Sequence, residues 1–374
     1  MKIQIVRVEL FKVSMALVRE FETSSHRKGW IEHILVRATD SEGFVGWGES
    51  ASPSDPYFCS ENVDTCWLML ERYLVPALLG ATWRTPIEAF GLAHINGNAF
   101  ARAATDMACW DLYSRHLGQS MAEVLGGDAK TIEAGVSLGI EPTIDALLDV
   151  VAAYVNEGYR RVKLKIAPGW EAEPCRQVLR SFPGIALQVD GNGAFSPNDH
   201  RDTFSRLDKL GLTMIEQPFA ADDLVAHAEL QRRLSTPVCL DESVTSPAAA
   251  RTALALDACR IVNVKVSRLG GLGPARAVHD ICRAAGVPVW CGGMHEFGVG
   301  RAANLALASL PGFVFPSDVS GSDKYYERDI VSPPIIAKDG KVLVPRSVPG
   351  LGHEVVFGEV QRHLTGHATL SISQ

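Results

Sequence analysis

From about residue 132 to residue 318 the chain alternates short apolar runs with longer amphipathic stretches. The runs are AGVSLGI, RRVKLKI, IALQVD, LTMIEQP, PVCLDES, CRIVNVKV, VPVWCGG and FVFPSD, with helical patterns such as GPARAVHDICRAAG between them. Runs this short are of strand length, whereas the stretches between repeat with helical period. Strands alternating with helices predict a parallel sheet. A polar residue stands near the end of each run: Ser137, Lys163 and Lys165, Asp190, Glu216, Asp241, Lys265, Cys291 and Asp318, successive positions lying 24 to 27 residues apart. A strand, a helix and their two loops need about that length, so each step is one βα unit. Eight such units predict a closed barrel of (β/α)8 type. A doubly wound open sheet is the runner-up, but the units carry no glycine fingerprint for it.

The first 125 residues are patterned differently. Alternation over 3–13 and 31–38 predicts a small antiparallel sheet with a turn at 40–43. ENVDTCWLMLERYLVPALLG and ARAATDMACWDLYSRHLG carry helical periodicity, and LGGD (125–128) reads as a boundary.

Within this frame VKLKI (162–166) changes meaning. Lys163 and Lys165 share one strand face, opposite Val162, Leu164 and Ile166. Taken alone, the lysines would face water. A barrel strand has helices on one side and a packed interior on the other, so lysines there point to chemistry at the mouth, where barrel active sites lie.

Three consecutive units end in Asp190 (QVDGN), Glu216 (MIEQP) and Asp241 (CLDES). A lone Asp in such a loop could simply cap a helix. Three in phase would repel one another unless a cation sits between them, and all-oxygen ligation suits Mg²⁺ or Mn²⁺. Glu242 is expected to point away and not to be a first ligand. Lys165 precedes the acids and Lys265 follows them, which places lysines on opposite sides of the metal. Removing a proton α to a carboxylate builds a second negative charge on that group. A divalent cation offsets it, and a lysine takes the proton. Arg268 is expected to pair with a carboxylate near the mouth.

Composition narrows the classes. The chain has 374 residues, 47% of them hydrophobic and 21% charged, as in ordinary globular enzymes. A net charge of −7 gives no basis for a nucleic-acid partner. No window approaches the roughly 20 apolar residues that span a bilayer, so no membrane association is expected. Eight scattered cysteines without a C-x-x-C pattern read as reduced, buried thiols, and the expected location is cytoplasmic.

VKLKI, VDGN, IEQP, LDES, NVKVSRLGG and WCGGMHEFGVGR occur in that order. In these the chain resembles the enolase superfamily, muconate-lactonizing subgroup. YRRVKLKIAPGWE, HAELQRRLSTPVCLDES and ALASLPGFVFPSD make it similar to the o-succinylbenzoate synthase/N-succinylamino acid racemase (N-acylamino acid racemase) family. A lysine base beside Mg²⁺ is a known pattern of that superfamily. The resemblance implies a (β/α)7β TIM-like barrel over residues 127–345 with an α+β capping domain over 1–126. A C-terminal tail, 346–374, would return to that capping domain. It implies Asp190, Glu216 and Asp241 as Mg²⁺ ligands and Lys165 and Lys265 as opposed acid/base residues. Lys163 and Asn192 would contact the substrate carboxylate or enediolate, and Ser137, Gly293 and Met294 would line the pocket. A small-molecule carboxylate substrate and a homo-oligomer, dimer or octamer, are expected.

Three departures concern the substrate: TSSHRKGW (23–30) where the family often has TSFG, His295 where an aliphatic residue is usual, and DGN for DAN. His295 is open between lining the pocket, a structural role and acting as a base. His26, Arg27 and Lys28 are open between a solvated turn and contact with an anionic substrate tail. The glycine turn before Pro274 reads as structural. Dipeptide epimerase, cycloisomerase and acid-sugar dehydratase activities remain alternatives. From other classes, a Schiff-base lyase and a non-catalytic metal-binding barrel also remain.

Overall fold

A computed structural model describes residues 1–23 and 26–372. Ser24 and Ser25 of the TSSHRKGW stretch lie outside the described residues. The chain opens with three antiparallel strands, β1 (Ile3–Glu22), β2 (Arg27–Asp40) and β3 (Val45–Ser50). The predicted turn at 40–43 joins the last two; the Asp40 carboxylate accepts from the Glu42 and Phe44 amides and holds it shut. Helix α1 (Ala99–Leu117) lies across β3. Gly46 and Gly48 allow that approach, because a Cβ on them would stand 2.3 Å from the Ala108 carbonyl oxygen and 1.9 Å from that of Ala104. Gly118, in the left-handed region, ends the helix.

The second unit is a curled parallel sheet of seven strands in sequence order. They are β4 (Val136–Leu138), β5 (Arg161–Lys165), β6 (Ala186–Asp190), β7 (Ile215–Glu216), β8 (Val238–Leu240), β9 (Ile261–Val264) and β10 (Val289–Cys291). Helices connect them, so the architecture is the expected α/β, TIM-like barrel with an α+β domain before it. The eighth run, FVFPSD, forms no regular strand. It closes the gap between β10 and β4 through single bridges, Val289 to Phe313 and Ala134 to Ser317. The Asp318 amide donates to the Cys291 carbonyl at 2.8 Å, and the Gly135 amide to that of Ser317 at 2.8 Å. Pro316 has no N–H to give to a ladder, which accounts for the irregularity.

A C-terminal strand, β11 (Leu364–Ser371), returns to pair antiparallel with β1. Two carboxylates of the first unit reach into the barrel. Asp106 of α1 accepts from the Leu272 amide at 2.6 Å, where the glycine turn before Pro274 opens a barrel helix. Glu49 of β3 accepts from the Phe297 and Gly300 amides at 2.8 and 2.7 Å. Both sit at helix N-termini, where free N–H groups and the helix dipole favour negative charge. Seven of the eight cysteines are buried, and all are free thiols. Among the described residues no helix is long and apolar enough to cross a membrane.

Candidate active site

Asp190 ends β6, Glu216 ends β7 and Asp241 directly follows β8. The register pairs Lys165 with Asp190 and Asp190 with Glu216, so these residues stand at one level of the sheet. All three carboxylates are fully buried, and one oxygen from each lies within 4.8 Å of the others.

Basic side chains bracket this triad. Lys165 Nζ donates to Asp190 Oδ2 at 2.5 Å and to Asn192 Oδ1 at 2.7 Å. Across the triad, Lys265 Nζ donates to Asp241 Oδ2 at 2.7 Å, while Arg268 pairs with Oδ1 of the same carboxylate. Lys163 pairs with Asp318 at 2.7 Å and Glu216 at 3.2 Å, and stands 4.7 Å above the Trp290 ring. The remaining Glu216 oxygen accepts from Asn263 Nδ2 at 2.7 Å. Gly292 makes room for these contacts: a Cβ there would lie 2.3 Å from Asn263 Oδ1 and 2.8 Å from Lys265 Cε.

Burial pushes the Glu216 carboxyl up to about 8, with the charge of Asp190 adding to the effect. Burial acts the same way on Asp241, but Arg268 and Lys265 override it and hold that carboxyl below its ordinary range. Burial also opposes the Lys163 and Lys265 ammonium groups. Asp318, Glu216 and Asp190 nevertheless hold Lys163 well above an ordinary lysine, and Asp241 raises Lys265. Glu216, buried beside Asp190, thus keeps an excess proton affinity even with Lys163 3.2 Å away. A buried set of oxygen donors in that state fits a hard divalent cation, which would cancel the mutual repulsion.

A cavity of about 280 Å³ opens above the triad. Lys163, Lys165, Lys265, Asn192, Ser137, Gly293, Met294 and His295 all line it, and Phe21, Lys28, Tyr57 and Phe58 reach it from the N-terminal unit. Ser137 donates to Asp318 at 3.0 Å, and Asn192 bridges Lys165 to Glu242, donating to the latter at 2.8 Å.

Glu242 departs from the alternation that predicts its direction. It was expected to point away, yet it lines the cavity. The strand ends at Leu240, so alternation between faces no longer applies at residue 242. Other neighbours carried a readable signal. Arg161 lies two residues before Lys163 on the same face and pairs with Asp318 at 2.7 Å. Asp318 stood among the run-ending residues without a role. Phe21 and Tyr57 had no signal in the sequence, and Lys28 only the open one of its basic turn, because tertiary packing alone brings them over the barrel mouth.

Residues 5–126 match the family described as mandelate racemase / muconate lactonizing enzyme, N-terminal domain, and residues 146–359 match the enolase C-terminal domain-like family. The chain belongs to the enolase superfamily. It is 47% identical over 364 residues to an o-succinylbenzoate synthase of Geobacillus kaustophilus, covering 97% of this chain and 96% of that protein. Over 347 residues it is 47% identical to an N-succinylamino acid racemase of Amycolatopsis sp, covering 92% and 93% of the two. A solved enolase-superfamily member from Listeria innocua Clip11262 matches it with a TM-score of 0.94 and 33% identity, covering 99% of this chain and 100% of that one. This enolase-superfamily chain is therefore an enzyme, of the racemase and lyase class its relatives represent.

Proposed function

We propose that the enzyme removes a proton α to a carboxylate, through an enediolate, as an N-succinyl/N-acylamino acid racemase, an o-succinylbenzoate synthase, or both. One observation carries the reading: Lys165 and Lys265 are held on opposite sides of the triad, against Asp190 at 2.5 Å and Asp241 at 2.7 Å. The names of the two relatives support the substrate class. Asp190, Glu216 and Asp241 would hold Mg²⁺, with Mn²⁺ as the alternative, to supply positive charge against the charge that builds on the substrate carboxylate.

Lys165 and Lys265 face the α-carbon from opposite sides, so one takes the proton and the other returns one to the far face. Where the substrate carries a β-hydroxyl, the lysine that took the α-proton returns it to that oxygen, which leaves as water, and this elimination is the synthase reaction. Lys163 and Asn192 meet the substrate carboxylate, and the ion pair of Lys163 with Asp318 fixes where that ammonium points. Ser137, Gly293, Met294 and His295 shape the wall, and Phe21 and Phe58 help to exclude water from the reacting carbon.

The test is hydrogen exchange in D₂O. With Mg²⁺, the enzyme should exchange the α-proton of N-succinylphenylalanine and racemise it, and EDTA should stop both. Formation of o-succinylbenzoate is assayed separately. Turnover insensitive to EDTA, or a lysine adduct trapped by borohydride, would assign a Schiff-base lyase instead.

A further inference from the structure

The end of the cavity that faces the N-terminal unit carries a cation for which the proposed reaction has no use. The β1–β2 register sets Phe21 opposite Lys28, and both side chains line the cavity. Lys163, Lys165 and Lys265, which also line it, each pair with a carboxylate. Lys28 does not: among the described residues its hydrogen-bond partner is Tyr57 Oη at 3.2 Å, with the Tyr57 ring 5.8 Å from the ammonium. Tyr57 is held in turn by His26, stacked on it at 3.7 Å. The neighbouring Arg27 behaves as an ordinary surface residue, exposed and paired with Glu20.

His295 borders the same space. Its backbone is in the left-handed region at φ 61°, its carbonyl accepts from the Tyr326 hydroxyl, and Phe21 packs edge-on to its ring at 4.6 Å. Its Nδ1 is buried and has no hydrogen-bond partner among the described residues. Burial, with the charges of Lys28, Lys324 and Lys165, pushes the imidazole well below its ordinary range, so the ring is neutral. Burial also pushes Lys28 down to about 8, with Lys165 adding and Asp55 and Glu296 resisting from beyond ion-pair distance. An ammonium with no carboxylate at ion-pair distance, beside an imidazole with an unfilled nitrogen, is completed by an anionic oxygen brought from outside the chain.

We propose that Lys28 and His295 form a subsite for a second carboxylate, the free end of the substrate's acyl tail. The subsite lies at the far end of the cavity from the carboxylate whose α-proton is removed. Phe21 and Met294 flank the methylenes between the two ends. The inference rests on the proposed reaction for the placement of the first carboxylate, and it makes the substrate a dicarboxylate. Lys28 and His295 belong to the two stretches, TSSHRKGW and GGMHE, in which this chain departs from the resemblance described above. The subsite is thus built from this chain's own residues.

Calorimetric titration of the Mg²⁺-loaded enzyme with N-succinylglycine and with its terminal amide, N-succinamoylglycine, tests the subsite. The two ligands match in size and differ in the tail charge. The wild type should bind the dicarboxylate about 30-fold more tightly, the worth of a charged hydrogen bond. Lys28→Met should bring the two affinities within about 2-fold of each other, Lys28→Arg should keep most of the difference, and His295→Leu should reduce it a few-fold. The ratio is taken within each variant, so a general loss of affinity does not move it. Equal wild-type affinities, or a preference unchanged in Lys28→Met, would overturn the proposal. Glycine has no stereocentre, so this measurement is independent of turnover. Tail selectivity without α-proton exchange on N-succinylphenylalanine would remove the reaction and keep the subsite; exchange without selectivity would do the reverse.

Discussion

Lys163 and Lys165 differ by two positions and point to the same face, yet their partners set them apart. Lys163 is locked to Asp318 and Glu216, whereas Lys165 shares Asp190 with Asn192 at the cavity wall. Lys165→Ala and Lys265→Ala should each abolish racemisation. Followed by proton NMR in D₂O, each variant should retain exchange for at most one enantiomer, and opposite enantiomers for the two variants. Near-normal turnover in both directions by either variant would contradict the two-base assignment. Gly292→Ala is predicted to lower kcat by about 10²-fold, because the new methyl displaces Lys265 by a fraction of the distance on which proton transfer depends; single-turnover kinetics would separate that effect from binding. The triad and the lysines were legible from alternation and spacing. Glu242 was not, since its position depends on where a three-residue strand stops.

At the scale of elements, the regular units were readable and their edges were not. Seven of the eight runs form strands, each a short apolar segment set between stretches of helical period. The eighth kept its place but lost its ladder at Pro316. The joint between α1 and the barrel helix Leu272–Ala284 could not have been inferred, since Asp106 is 166 residues from its partner Leu272. Burial pushes Asp106 up to about 7, against the pull of the Leu272 and Gly273 amides. The unfolded chain has an aspartate near ~3.9. Between these values the folded state holds the extra proton, so this contribution to stability is full below about 3.9 and is lost as pH rises through about 7. Asp106→Asn should therefore gain on the wild type as pH rises from 5 to 8, by on the order of 2 kcal/mol, read from urea midpoints. A gap that stays constant or narrows would show that Asp106 is ionised throughout.

For the whole molecule, the site is completed by apposition of two units. Phe21, Lys28, Tyr57 and Phe58 come from the N-terminal unit, and Glu49 carries it onto the start of the barrel helix Gly298–Ala308. Buried carboxylates that lack a full complement of cations cost stability, and a ligand that binds only the folded state returns it. Mg²⁺ at 100 times its Kd should add about 2.7 kcal/mol and raise the melting temperature by a few degrees. EDTA should reverse the shift, and Glu216→Gln should remove most of it in a calorimetric scan. An unchanged melting temperature with Mg²⁺ would argue against the triad as its site.

By itself, the sequence determined most of the elements, their order and which charged side chains stand at the strand ends, because period, phase and spacing are local properties that a closed barrel converts directly into position. Tertiary structure decided which charges are paired. The strand-end spacing marked Lys265 and left Lys28 in an open basic turn; only packing shows that Lys265 has a carboxylate at 2.7 Å while Lys28 stands beside Tyr57 and His295. Residues hundreds of positions apart meet there, and no periodicity in one stretch of chain reports what stands opposite it.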